Sequence, residues 1–184
     1  MDVLRQLTSE EMDLLRSSVR IISENATEVG CNTYEMIFEQ SPYVKEFFHF
    51  TKSDDDAYRQ KQTVQLAQKY MQVLIAFVEG IEDPSILEPV SAKLIEIHRK
   101  VDDVQMAAHW GVFTECTLYN IRKALEKDEH FNDMDRLDAA VMLWRMVIRG
   151  IVRRLKASFA NGPDEPRTAN DPGSTSASSR NSPV

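Results

Sequence analysis

Four histidines and two cysteines are the side chains of this sequence best suited to holding a metal or acting as a nucleophile. His98 stands out among them. Leu87, Val90, Leu94 and Ile97 recur at steps of three and four, giving one apolar stripe on a short helix that His98 closes. Leu94 lies one turn before the histidine on the same side. Val101-Asp102-Asp103-Val104 then interrupts the helix before a new amphipathic run begins. The imidazole thus stands where two helices meet, backed by apolar side chains. A neutral imidazole so placed can bind a metal through one ring nitrogen. The same position equally suits a half-buried, helix-terminal histidine favoured by the helix dipole. His49 follows Phe48, His109 precedes Trp110, and His130 falls in a polar loop where solvation is expected. Cys31 and Cys116 are far apart and outside any paired metal-ligand spacing, so both read as reduced thiols in helical patterns. Nothing near Cys116 in sequence would lower its pKa, and a packing role is expected of it.

The elements that must position these residues are all helical. Thr8-Ser9-Glu10-Glu11 is a capping box, and Met12, Leu15, Val19 and Ile22 form the stripe of the helix it opens. Asn25 is expected to cap the next helix, which carries Val29, Thr33, Tyr34, Ile37 and Phe38. Ser41-Pro42 ends it, since the residue before a proline avoids helical geometry. A short aromatic stretch holds Phe47, Phe48 and Phe50, and Asp54-Asp55-Asp56 favours the start of a long helix from about Ala57 to Gly80. The His98 helix comes next. A further helix runs from about Val104 to Glu126, then a polar loop over 127–132. A last helix begins after Asp133 with Leu137, Val141, Trp144, Ile148, Ile151 and Leu155. Sustained period-two alternation is absent, so the fold class is all-α. Residues 1–160 form one helical domain. Residues 161–184, rich in Pro, Ser, Thr, Asn and Gly, hold too little apolar surface to offset ordering and are expected to be disordered.

Composition narrows the function. A formal charge of -7 and a pI near 5.2 exclude nucleic acid as a partner, because phosphate binding needs concentrated Lys and Arg. No run approaches the roughly 20 apolar residues of a membrane span. The start of the chain lacks a signal-peptide core, and Asp2 stands where myristoylation needs glycine, so a cytoplasmic location is expected. Asn25-Ala26-Thr27 is a glycosylation sequon read as chance.

Three blocks together resemble the globins, and within them the nematode-type invertebrate branch, over roughly Thr8 to Phe159. Thr33 to Phe50, TYEMIFEQSPYVKEFFHF, is similar to the family's second helix, its helix-breaking proline and its haem-packing phenylalanine. Leu66-Ala67 and His98 are separated much as the family's distal and proximal positions are. Trp144-Arg145-Met146-Val147-Ile148 looks like the packing motif of its last helix. The resemblance implies the three-over-three helical sandwich of the globin fold and a haem b whose iron is ligated by His98. It implies that Phe48 packs on the porphyrin and that Leu94, Ile97, Val104, Val112 and Phe113 line the pocket.

The distal helix departs from the commonest pattern, because no histidine occurs between His49 and His98. The distal position falls on Leu66, with Gln65 as the alternative if the register slips by one. A hydrogen-bond donor toward O₂ would then be Tyr34, with Tyr70 one turn beyond Leu66 joining it or filling space. The implied function is reversible O₂ binding for storage, transport or sensing. A redox globin reacting with nitric oxide, nitrite or superoxide, and a haem-free helical interaction module, are the alternatives. The sequence leaves a homodimer open, and Ser182-Pro183-Val184 fits the loose terminal pattern that PDZ-type domains bind.

Overall fold

The computed structural model describes residues 6–99 and 103–160, for 103–108 and 160 through the backbone alone. The expectations for residues 161–184, including the terminal Ser-Pro-Val, and for the side chain of Val104 lie outside the described residues. Among the described residues six α-helices occur in order: α1 Ser9–Glu24, α2 Ala26–Gln40, α3 Asp56–Glu79, α4 Pro84–His98, α5 Asp103–Leu125 and α6 Met134–Ala160. No strand occurs among the described residues.

Local chemistry sets most boundaries. The Thr8 hydroxyl accepts from the Glu11 amide at 3.2 Å, and the Glu11 carboxylate accepts from the Thr8 amide at 2.8 Å, the reciprocal box that opens α1. Asn25 does not cap α2 with its side chain. Its Nδ2 donates instead to the Ile21 carbonyl at 2.8 Å, closing α1, because one residue serves both as the end of one helix and the start of the next. Pro42 ends α2 and opens two short 3₁₀ stretches, Pro42–Phe47 and His49–Lys52. Asp55 and Asp83 cap α3 and α4 by accepting the Tyr58 and Ser85 amides at 3.0 and 2.9 Å. The α5–α6 connection is less polar than expected. Phe131, in a 3₁₀ turn at Glu129–Phe131, is 2% exposed and anchors it in the core.

α1, α3 and α4 form one layer and α2, α5 and α6 the other, with α2 lying across α3 and α5. The α2–α3 crossing is very close. A methyl group placed on Gly30 would sit 2.7 Å from the Ala67 carbonyl oxygen and 3.0 Å from the Ala67 Cβ. Only glycine admits that approach, since the obstructing oxygen is backbone and cannot swing aside. The crossing fixes which residues of each helix face one another, and therefore where Tyr34, Leu66 and Tyr70 stand. The main core lies on the other side of α3, around the fully buried Trp144 of α6. The Trp144 indole donates to Ser18 Oγ at 2.9 Å, and Ser18 donates on to the Leu15 carbonyl at 2.6 Å, so a large aromatic is buried with its polar atom paired.

Candidate functional site

A second, smaller cluster is built from α2, the aromatic corner after it, α3 and α5. Tyr34, Ile37, Val44, Ala67 and Cys116 are buried at its centre, with Phe48, Leu66, Tyr70, Val112 and Phe113 packed round them. Its rings form a continuous wall. Tyr34 meets Phe48 edge-on at 5.8 Å between centroids, Tyr70 at 5.5 Å and Phe113 at 6.1 Å. Phe113 continues to Trp110 at 6.5 Å, and Trp110 lies against the His98 ring at 5.6 Å. Edge-on geometry sets the electropositive rim of one ring against the electron-rich face of the next. The wall therefore joins the end of α4 to the corner that carries Phe48.

His98, the last residue of α4, is half-buried. Its Nδ1 lies 2.8 Å from the carbonyl oxygen of Leu94 one turn earlier. A carbonyl only accepts, so Nδ1 carries the hydrogen and donates it. Nε2 is left with its lone pair and, among the described residues, with no hydrogen-bond partner. Burial lowers the imidazole pKa from its ordinary value, against the smaller opposing effect of the Leu94 bond, and so favours the neutral ring. A neutral imidazole with one nitrogen tied to a carbonyl and the other bare is oriented as a metal ligand. Among the described residues no group of three or more His, Cys, Asp or Glu side chains could hold a metal by itself. His98 thus offers one protein ligand, the number wanted by an iron whose other in-plane ligands come from a porphyrin. The residues present fit a haem.

Further along that wall Tyr34 is 4% exposed. Its hydroxyl makes no hydrogen bond to a described residue, yet no fully enclosed side-chain oxygen there lacks a partner, so it borders space that a small molecule can reach. Burial raises its pKa far above the ordinary phenol value, with the neighbouring Tyr70 adding to the rise. The group stays protonated at any ordinary pH. The Tyr70 phenol is pushed up to about 12, burial outweighing the lowering effect of its bond to Thr117.

Leu66 packs into the cluster, whereas Gln65 is exposed. Gln68 is exposed too and donates to Thr27 Oγ1 at 3.1 Å on the outer face of α2. Leu94 is half-buried against the main core, on the His98 side of α4. Ile97, also expected to line the pocket, is 50% exposed and joins neither cluster. It precedes His98 by one residue, and adjacent helical positions point about 100° apart. His109 is neither free nor in the wall. Its Nδ1 is 2.9 Å from Ser41 Oγ and its ring stacks on Tyr43 at 5.9 Å, which ties α5 to the aromatic corner. His49 is exposed, and His130 is exposed and pairs with Asp128 at 2.7 Å. Cys116 is buried with its Sγ 3.6 Å from Gln40 Oε1, and burial raises its thiol pKa, as a packing role requires. Sequence reading missed Gly30, whose need for a bare Cα shows only once α3 is in place, and gave Thr117 no part in the site.

The globin family model matches residues 32–141, more than half of the chain. The chain is a globin. The match spans the whole aromatic wall from Tyr34 to Phe113 and includes His98, so the site lies inside the family's own domain. With membership comes a haem-binding, oxygen-related role. No helix among the described residues of this globin is long and apolar enough to cross a membrane.

Proposed function

We propose that this globin binds O₂ reversibly on a single haem b, with His98 as the iron's protein ligand and Tyr34 as the donor that holds the gas. The observation that carries the reading is the state of His98: Nδ1–H is spent on Leu94 and Nε2 is bare on a neutral ring. A haem held there by His98 would supply a ferrous iron able to bind a diatomic gas. Phe48, Leu66, Phe113 and Leu94 would wall that haem and keep water from it, with Val104 as a further candidate for the wall. Tyr34 donates its hydroxyl hydrogen toward the ligand's partly negative outer atom. Such a bond contributes roughly 1.5–3 kcal/mol, or about ten- to a hundredfold in ligand release. The register at Gly30 and Ala67 supports Leu66 rather than Gln65 as the distal residue.

The partner of Nδ1 bears on the choice between carriage and redox chemistry. A carboxylate partner would push negative charge toward the iron and favour its oxidised state. A backbone carbonyl does so much less and favours reversible binding. We take the protein as cytoplasmic and, on its three sequence blocks, within the nematode-type branch.

The test is an absorption spectrum of the purified protein in ferric, ferrous and CO-bound forms. A haem band that shifts on adding CO to the ferrous protein is expected, and His98→Ala should abolish normal haem attachment. Helical protein that never takes up supplied haem would sink the proposal. Rapid autoxidation under O₂ would move the protein to reaction with nitric oxide, nitrite or superoxide.

A further inference from the structure

Hydrogen-bond direction in the pocket singles out one more pair beyond Tyr34, whose role rests on the gas-binding reading. Tyr70 Oη and Thr117 Oγ1 are 2.6 Å apart. Either atom can donate in isolation, but a second bond decides. Thr117 Oγ1 lies 2.5 Å from the Phe113 carbonyl oxygen, which can only accept. A threonine hydroxyl carries one hydrogen, and it is committed to Phe113. Tyr70 must therefore donate to Thr117, which leaves only lone pairs on its oxygen for any other neighbour. Its ring nevertheless stands against that of Tyr34, with centroids 5.5 Å apart. Two phenols stand together in the cluster, and only Tyr34 has a hydroxyl hydrogen uncommitted to a described residue.

We propose that Thr117 is a specificity-determining positioning residue: by holding the Tyr70 hydroxyl hydrogen on α5, it keeps the gas pocket to a single tyrosine donor and keeps O₂ release fast. Rotation about the Cζ–Oη bond of Tyr70 redirects its hydrogen once Thr117 ceases to accept it. A second donor should act on O₂ much more than on CO, because O₂ draws more negative charge onto its outer atom.

Thr117→Val keeps the shape of the side chain and removes the acceptor. In the haem-loaded protein it is expected to slow O₂ release about tenfold and to change CO release less than about twofold. Thr117→Ser should restore the native rates, and the slowing should vanish when Tyr70→Phe is added. Tyr70→Phe alone should leave O₂ release within about twofold of the native rate, since its hydroxyl gives nothing to the ligand. In denaturant unfolding, which needs no gas, Tyr70→Phe and Thr117→Val remove two ends of one bond, so their effects should not add. O₂ release that is unchanged or faster in Thr117→Val overturns the proposal, as does tenfold faster release in Tyr70→Phe, or additive unfolding effects. These failures leave the gas-binding reading standing. A protein without a haem band sinks that reading and this one together.

Discussion

Trp144 and Tyr34 are the two most informative aromatics of this globin, and they differ in one respect. Both are almost fully buried, and both carry a hydrogen-bond donor. The Trp144 donor is answered at once by Ser18, itself answered by Leu15, so nothing polar is left over in that core. The Tyr34 donor is answered by no described residue, in a cluster otherwise tightly packed with rings. The Tyr34 oxygen is not fully enclosed, so its hydroxyl is left to whatever reaches it rather than to another side chain. On the proposed function, the difference separates a side chain that holds the fold together from one left to meet a bound gas. It also explains why Tyr70, equally aromatic and nearby, belongs with the first kind: its hydrogen is already used.

Four substitutions sharpen or break that contrast. Trp144→Ala should cost about 3–5 kcal/mol in denaturant unfolding, because it empties the main core and removes a paired donor together. Tyr34→Phe should speed O₂ release about ten- to a hundredfold, corresponding to roughly 1.5–3 kcal/mol, while stability stays within about 0.5 kcal/mol. If unfolding instead showed a loss of several kcal/mol, Tyr34 would be a structural residue like Trp144 and the contrast would collapse. Gly30→Ala should destabilise by about 1–3 kcal/mol through overpacking and should change ligand release as well, since it pries α2 from α3 beside the pocket. The smallest effect lies outside both clusters. Glu115, hydrogen-bonded to Arg145 at 2.5 and 2.9 Å, has its pKa lowered mainly by that guanidinium. Its folded pKa is below the ordinary 4.5, so the pair's stabilisation is present above pH 4.5 and lost as pH falls below it. Glu115 is mostly exposed, and Glu115→Gln should remove only about 0.2–1 kcal/mol at neutral pH. A Tm comparison at pH 7 and at pH 3.5 checks this.

Much of the fold was legible because helices announce themselves locally. The capping box at Thr8, the stop at Pro42 and the aspartates before α3 act through neighbours in sequence, and each sits where the pattern puts it. The misses share a cause. Asn25 lies at a helix junction where two ends compete for one amide. Phe131 is a single aromatic in a polar run, with no period to betray it. Within the site, residue types pointed to His98, Phe48 and Tyr34. Which tyrosine has a free hydrogen depends on Thr117 and Phe113, residues 47 and 43 positions beyond Tyr70, and no local pattern encodes that.

The missing methyl at Gly30 has a reach beyond its own contact. Tyr34 sits one turn further along α2, and Leu66 and Tyr70 flank Ala67 on α3, so the distance between the two walls is set by how deeply one backbone nests into another. Side-chain size at positions 30 and 67 therefore works as a gauge of bore. A lineage could admit a bulkier guest by enlarging either residue and leaving every group that touches the guest unchanged.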